Sequence, residues 1–195
     1  MAKFQPREIL GKWRKGFALD IHTLSSIPIG HNDAGHMQFD TTRSEVGELL
    51  FKLKNRSDQS VVPEIVEAVA EFMKPSKDRI DILVPVPPST PRSIQPVGVL
   101  AAAIGKYLNL SVVDCVKKAR DTPQLKNVYD LDERMKLLDG AFEIDGVATK
   151  GKRILLFDDL YRSGATMNAI TKALYEKGQA EDVMALTITR TRSNH

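Results

Sequence analysis

Apolar and polar positions along the chain change period several times, and each change marks an element. From Ser44 to Lys54, Val46, Leu49, Leu50 and Leu53 recur at helical spacing behind a serine suited to cap a helix. A second helix is predicted from Pro63, burying Ile65, Val66, Val69, Ala70 and Met73, since proline is tolerated in a first turn. Ile80 to Val86 then reads as a buried strand closed by Pro87 and Pro88, Leu100 to Leu108 as a helix, and Ser111 to Val116 as a strand. Asp121 to Gly140 is polar and weakly patterned, which predicts a loop or hairpin of the length used for functional lids. Ile154, Leu155, Leu156 and Phe157 stand in unbroken succession, as a strand buried on both faces requires. The helix after it turns Met167, Ile170, Ala173 and Leu174 inward and ends at Gly178, and Val183 to Thr189 forms a last strand. Strands alternating with helices at these spacings imply right-handed crossovers and a mainly parallel sheet covered on both faces.

Composition narrows the class. The 195 residues suit one compact domain with a small appended part. No run of about 18 apolar residues occurs, and the opening MAKFQPREILGKWRKG lacks a secretory apolar stretch, so a soluble cytoplasmic protein is expected. A lone cysteine, Cys115, excludes an internal disulfide and a multi-thiolate zinc site, and reads as a small core residue. The net charge of +3 is too small to argue for a nucleic-acid surface. Lys117, Lys118, Arg120, Lys126, Arg134 and Lys136 cluster around the predicted lid, where a solvated face and an anion-closing surface are both open readings.

Chemistry concentrates in Ile154 to Thr166, ILLFDDLYRSGAT. A buried strand holds Asp158 and Asp159 at the carboxyl edge of the sheet, where open α/β sheets bind ligands. The turn of Arg162, Ser163, Gly164, Ala165 and Thr166 can present backbone N–H groups and two hydroxyls to one phosphate at a helix start, with Gly164 permitting close approach. Paired acids repel a phosphate, so they must face something neutral or cationic beside it, such as sugar hydroxyls or Mg²⁺. A capped strand-to-helix turn whose aspartates merely solvate a loop is the bland alternative. Neither a P-loop nor a dinucleotide fingerprint is present.

This segment resembles the 5-phosphoribosyl-1-pyrophosphate (PRPP) motif of type I phosphoribosyltransferases. Three further stretches resemble that family's ComF-like branch: LLFKLKNRSD (Leu49 to Asp58), ILVPVPPSTPR (Ile82 to Arg92) and RDTPQLKNVYDLDERMKLLDGAF (Arg120 to Phe142). The resemblance implies a type I phosphoribosyltransferase fold, an α/β architecture with a mainly parallel sheet flanked by helices and a small N-terminal hood-like subdomain. Residues 1–60 would form the hood region and 61–195 the core, with a flexible loop at about 120–140. It further implies that Asp158 and Asp159 hold the ribose hydroxyls, directly or through Mg²⁺, and that Arg162 to Thr166 hold the 5′-phosphate. Pro88, Ser89, Thr90 and Arg92 would bind pyrophosphate, and Arg120 and Arg134 would close over it. Phe17 and His22 would lie near a small nitrogenous acceptor, and a homodimer is expected.

The chain also departs from the branch. Ser93, Ile94, Gln95, Pro96 and Val97 stand where an R-G-F-N-Q stretch is usual, and two prolines remove donors from that turn. The N-terminal cysteine-rich zinc module is replaced by Gly16 to Phe39, which carries His22, His31 and His36; with Asp33 and Asp40 these are ligand types without a metal-site spacing. Arg162 occupies the place of the acid used in 6-oxopurine salvage, and an arginine cannot act as that base. Besides transfer to a nitrogen nucleophile, a PRPP- or nucleotide-sensing regulator and an accessory factor in DNA handling are alternatives. Each would be recognised by turnover, by binding without turnover, or by salt-dependent DNA affinity.

Overall fold

The computed structural model describes residues 1–89, 94–120 and 131–192. The elements in chain order are β1 (Arg7–Glu8), β2 (Lys15–Ile21), β3 (Thr23–His31), β4 (Met37–Arg43), α1 (Glu45–Arg56), α2 (Val62–Met73), β5 (Ile82–Pro85), α3 (Pro96–Leu108), β6 (Ser111–Val112), β7 (Val116–Lys118), α4 (Leu131–Leu138), β8 (Phe142–Ile144), α5 (Gly146–Thr149), β9 (Arg153–Tyr161), α6 (Ala165–Glu176) and β10 (Asp182–Arg190). Short 3₁₀ turns at Gln59–Val61 and Lys77–Arg79 flank α2.

Six strands form the main sheet in the order β1-β2-β10-β9-β5-β6. All neighbours run parallel except β1, which returns antiparallel along β2. The unbroken apolar run of β9 explains its place in the interior of the sheet. Leu155 and Phe157 join the core beneath α1, α2 and α3, while Ile154 and Leu156 join the core beneath α6 and the β7–β8 hairpin. Each face thus receives alternate residues of one strand. The expected mainly parallel α/β sheet with helices on both faces is what the chain forms.

The expected strand at Ser111 to Val116 is divided. Ser111 and Val112 pair with β5, whereas Val116 to Lys118 pair antiparallel with β8 in a separate two-stranded sheet. Residues 120–140, read from sequence as loop or hairpin, contain α4. The expected division at residue 60 falls across the packing: β2 lies inside the main sheet, between β1 and β10, and α1 packs on α2 and β10. Within residues 1–60, the β3–β4 hairpin stands apart as its own two-stranded sheet. Among the described residues, no helix is long and apolar enough to cross a membrane.

Candidate functional site at the end of the central strand

β9 carries its two carboxylates just past the point where β5 ends, while its pairing with β10 continues to Tyr161. Asp158 sits opposite Thr187 of β10, and the next strand on the other side, β5, ends at Pro85 opposite Phe157. Val86 still donates its N–H to Phe157 O at 2.8 Å, so Pro88 and Ser89 leave the sheet beside the acidic pair, both exposed. Lys118 Nζ reaches back to Ser89 O at 3.2 Å. The other two residues expected to bind pyrophosphate, Thr90 and Arg92, lie outside the described residues.

The turn after β9 has the features an anion cradle requires. Gly164 takes φ +74 as the residue before α6, and no side chain caps that helix start. A Cβ at Gly164 would come within 2.7 Å of the Tyr161 ring, so both conformation and space call for glycine. The first turn of α6 therefore keeps its backbone donors without a capping side chain, at the positive end of the helix dipole. Asn168 ties this turn down, its Nδ2 donating to Gly164 O at 3.0 Å and its Oδ1 accepting from Lys12 N at 2.7 Å. Tyr161 is fixed by its hydroxyl on Leu10 O at 3.1 Å and by an edge-on contact with Trp13.

Of the two arginines expected to close over the ligand, Arg134 of α4 donates to Ser163 Oγ at 2.8 Å, joining α4 to the β9–α6 turn. Arg120 instead donates to Leu137 O and Asp139 O, clasping the end of α4. Lys172 of α6 holds the same end through Asp139 at 2.8 Å. Thus α4 is braced from two sides, and Arg120 acts on its position. Thr122, Gln124 and Lys126 of the same segment lie outside the described residues.

His22 follows β2 and meets Thr189 of β10 through Nδ1 at 3.1 Å, which brings it to the same sheet edge as the acids. Burial lowers its pKa from 6.5, and the positive charges of Arg43, Lys54 and Arg162 lower it further while Asp159 opposes them. Phe17 departs from expectation. Its ring packs edge-on against Phe72 at 5.3 Å on the sheet face covered by α1 to α3, so it serves that core rather than a wall beside the sugar. His31 and His36 flank the turn of the exposed β3–β4 hairpin, and the described residues hold no cluster of three or more potential metal ligands.

The acidic pair is organised by contacts that sequence reading missed. Asp158 Oδ1 accepts from Asp159 N at 2.8 Å, and Asp159 Oδ2 receives Lys54 Nζ at 2.6 Å. Desolvation first, and then the charge of Asp159, push the Asp158 carboxyl up to about 7, against the pull of the Asp159 N–H and Lys54. Lys54 comes from the last turn of α1, 105 residues earlier in the chain. A signal for it existed in the sequence: Lys54 is four residues from Leu50 and so borders the apolar stripe instead of the solvent face. Ser44 sets α1 in place, capping Gly47 N at 3.1 Å and donating to Ile21 O at 2.6 Å. Gly47 lies so close to the His22 carbonyl that a Cβ would collide with it.

A hollow among the described residues lies elsewhere. About 320 Å³ in volume, it is bordered by Ala2, Arg43, Glu45, Leu49 and Glu64, and none of residues 158–166 lines it.

No family model matches the chain. Competence protein ComFC of Bacillus subtilis (strain 168) is 26% identical over 150 residues, which cover 74% of this chain and 59% of that protein, so the chain spans about 59% of the length of this curated relative. Among solved structures, an adenine phosphoribosyltransferase superposes with a TM-score of 0.50 at 15% identity, covering 86% of this chain and 85% of that one. Orotate phosphoribosyltransferase from Aeropyrum pernix gives 0.48 at 16% identity, over 87% and 76%. The chain has the fold of type I phosphoribosyltransferases, and in sequence it resembles the ComF-like branch.

Proposed function

We propose that this chain binds PRPP at the β9–α6 turn and transfers its phosphoribosyl group to a nitrogen nucleophile, a nucleobase or an amine, with release of pyrophosphate. The observation that carries the reading is the pairing, on one rigid strand end, of two carboxylates with an uncapped helix start reached through a glycine at φ +74. In this reading the backbone of Gly164, Ala165 and Thr166, with the Ser163 and Thr166 hydroxyls and Arg162, receives the 5′-phosphate. Asp158 and Asp159 accept hydrogen bonds from the ribose hydroxyls. Pro88 to Arg92, with Arg134 from α4, meet the pyrophosphate, and Arg120 holds α4 where Arg134 can do so.

The donor set suits Mg²⁺. Among the described residues, Asp158 Oδ2 and Asp159 Oδ1 accept from no protein donor, so each carboxylate keeps one hard oxygen for the ion. Bound there, Mg²⁺ would supply positive charge to the diphosphate. The chain's own part is to align the sugar, balance the charge of the departing pyrophosphate with arginines and keep water from the electron-poor anomeric carbon. One such donor is worth ~3 kcal/mol of transition-state stabilisation. His22, held toward its neutral form at the same edge, is the side chain we assign to the acceptor side.

Isothermal titration of the folded chain with PRPP and Mg²⁺ tests the reading: saturable binding is expected, and no heat up to millimolar ligand sinks it. A second reading, a PRPP-responsive regulator without turnover, draws support from the curated relative, a competence protein. Pyrophosphate release with one member of a panel of bases and amines decides for the enzyme. Binding without release, under the same conditions, decides for the regulator.

A further inference from the structure

The Lys54–Asp159 contact is unusual in what it joins. A lysine on the last turn of α1 spans to a carboxylate on the central strand, with only 24% and 10% of the two side chains exposed. The helix that carries it is locked at its other end, where Ser44 bridges to Ile21 and Gly47 lies against His22. Lys54 is thus held at the pair by a rigid element, 2.6 Å from Asp159 Oδ2. Asp159 is itself 7% exposed, so an unbalanced charge there would be costly. Nearby cations do not replace the lysine: Arg43 pairs with Glu48 and stacks on Phe51, and Arg162 is exposed on the turn beyond.

We infer that Lys54 is a positioning residue of the site: it is the resident counter-cation of the Asp158–Asp159 pair, setting the Asp159 carboxylate for the sugar and requiring a divalent cation to displace it before that cation can take both carboxylates. The inference rests on the reading of this pair as the sugar and cation site. In consequence the ligand-free chain binds divalent cations poorly, and the cation arrives together with the diphosphate, whose own oxygens complete its shell and whose negative charge draws the displaced ammonium. Oxygen-seeking ions favour a set of carboxylates free of a competing ammonium, which fixes the direction of the effect.

Mn²⁺ alone, counted as the free ion by electron paramagnetic resonance, tests this without PRPP, so its failure is separable from failure of the PRPP titration. Lys54→Met is expected to bind Mn²⁺ at least tenfold more tightly than the wild type. Lys54→Arg, which keeps the cation, is expected to match the wild type, and adding Asp159→Asn to Lys54→Met is expected to abolish the gain. Equal Mn²⁺ affinity in wild type and Lys54→Met, including no binding by either, overturns the inference, as does a gain in Lys54→Arg. A lysine that merely braced α1 would lower the melting temperature without raising metal affinity. Should Lys54→Met fail to fold, the ¹³Cε resonance of Lys54 in the wild type serves instead. It is expected to move toward the position of a solvated lysine when Mg²⁺ is added together with inorganic pyrophosphate, and an unmoved resonance overturns the inference.

Discussion

The β9–α6 turn and the β3–β4 hairpin both reverse direction through glycine at positive φ, yet their surroundings could hardly differ more. Gly164 at φ +74 is buried against Tyr161, with a strand interior to the sheet on one side and an amphipathic helix on the other. Gly30 at +120 and Gly35 at +76 have nothing near their missing side chains, and Ile27, Ile29 and Phe39 around them are more than half exposed. The first turn is over-determined by packing, as a preorganised binding turn would require. The second depends on its own ladder and on Asn32, whose side chain accepts from Ala34 N and His36 N. A two-stranded ribbon on its own is marginal in water.

That contrast can be broken by measurement. Phe157→Ala, which empties a site wholly enclosed just before the acids, should cost about 3–5 kcal/mol in urea unfolding; a loss below 1 kcal/mol would mean that the strand end is not braced by its core. Gly164→Ala should cost about 1–3 kcal/mol and weaken PRPP binding together, because the added Cβ both strains the backbone and meets the Tyr161 ring. Unchanged stability would show that the turn relaxes freely.

A pH series sharpens the same comparison with a smaller effect. Asp158 is raised from 3.8 to about 7, so between those values the folded chain holds a proton that the unfolded chain releases. Stability from this group therefore falls as pH rises from about 4 and levels off above 7. Asp81, held at about 2 mainly by hydrogen bonds from Arg153, contributes a constant amount over that range, since its stabilisation is lost only below 3.8. His22, lowered from 6.5, acts in the opposite direction below that value. The wild-type minus Asp158→Asn difference in unfolding free energy isolates the aspartate, with an expected decline on the order of 1 kcal/mol from pH 5 to 8. A flat difference would contradict the burial of Asp158. The smallest change belongs to the hairpin: Ile29→Ser should alter stability by less than about 0.5 kcal/mol, and a larger loss would reveal packing on a face that is open here.

Legibility followed the same divide. β9 and α6 could be read because both faces of one and the inner face of the other are buried, so the pattern of apolar residues records the packing. Ser44 announced α1 because capping is local chemistry between neighbours in sequence. The segment Lys15–Ile21 passed unread, since two of its seven residues are charged and its interior position is conferred by pairing with β10, some 170 residues later. The break between Val112 and Val116 was equally hidden: both ends favour strands, and only the partner at Phe142–Ile144 pulls the second away. In the site, Asp158, Asp159 and the turn to Thr166 stood in one stretch of sequence. Lys54 did not, because a lysine at the margin of a helix stripe acquires a role only from what the helix is laid against.

The order of residues in one short segment, read with local rules of burial, capping and backbone freedom, was enough to establish a strand carrying two acids near its end and a helix beginning at a glycine. Tertiary structure alone decided which distant charges converge there, that Arg120 grips α4 while Arg134 reaches Ser163, and that Phe17 belongs to the core. Local structure depends on interactions between residues a few positions apart. Charge pairing across a fold depends on distances that exist only after the sheet and its helices have packed.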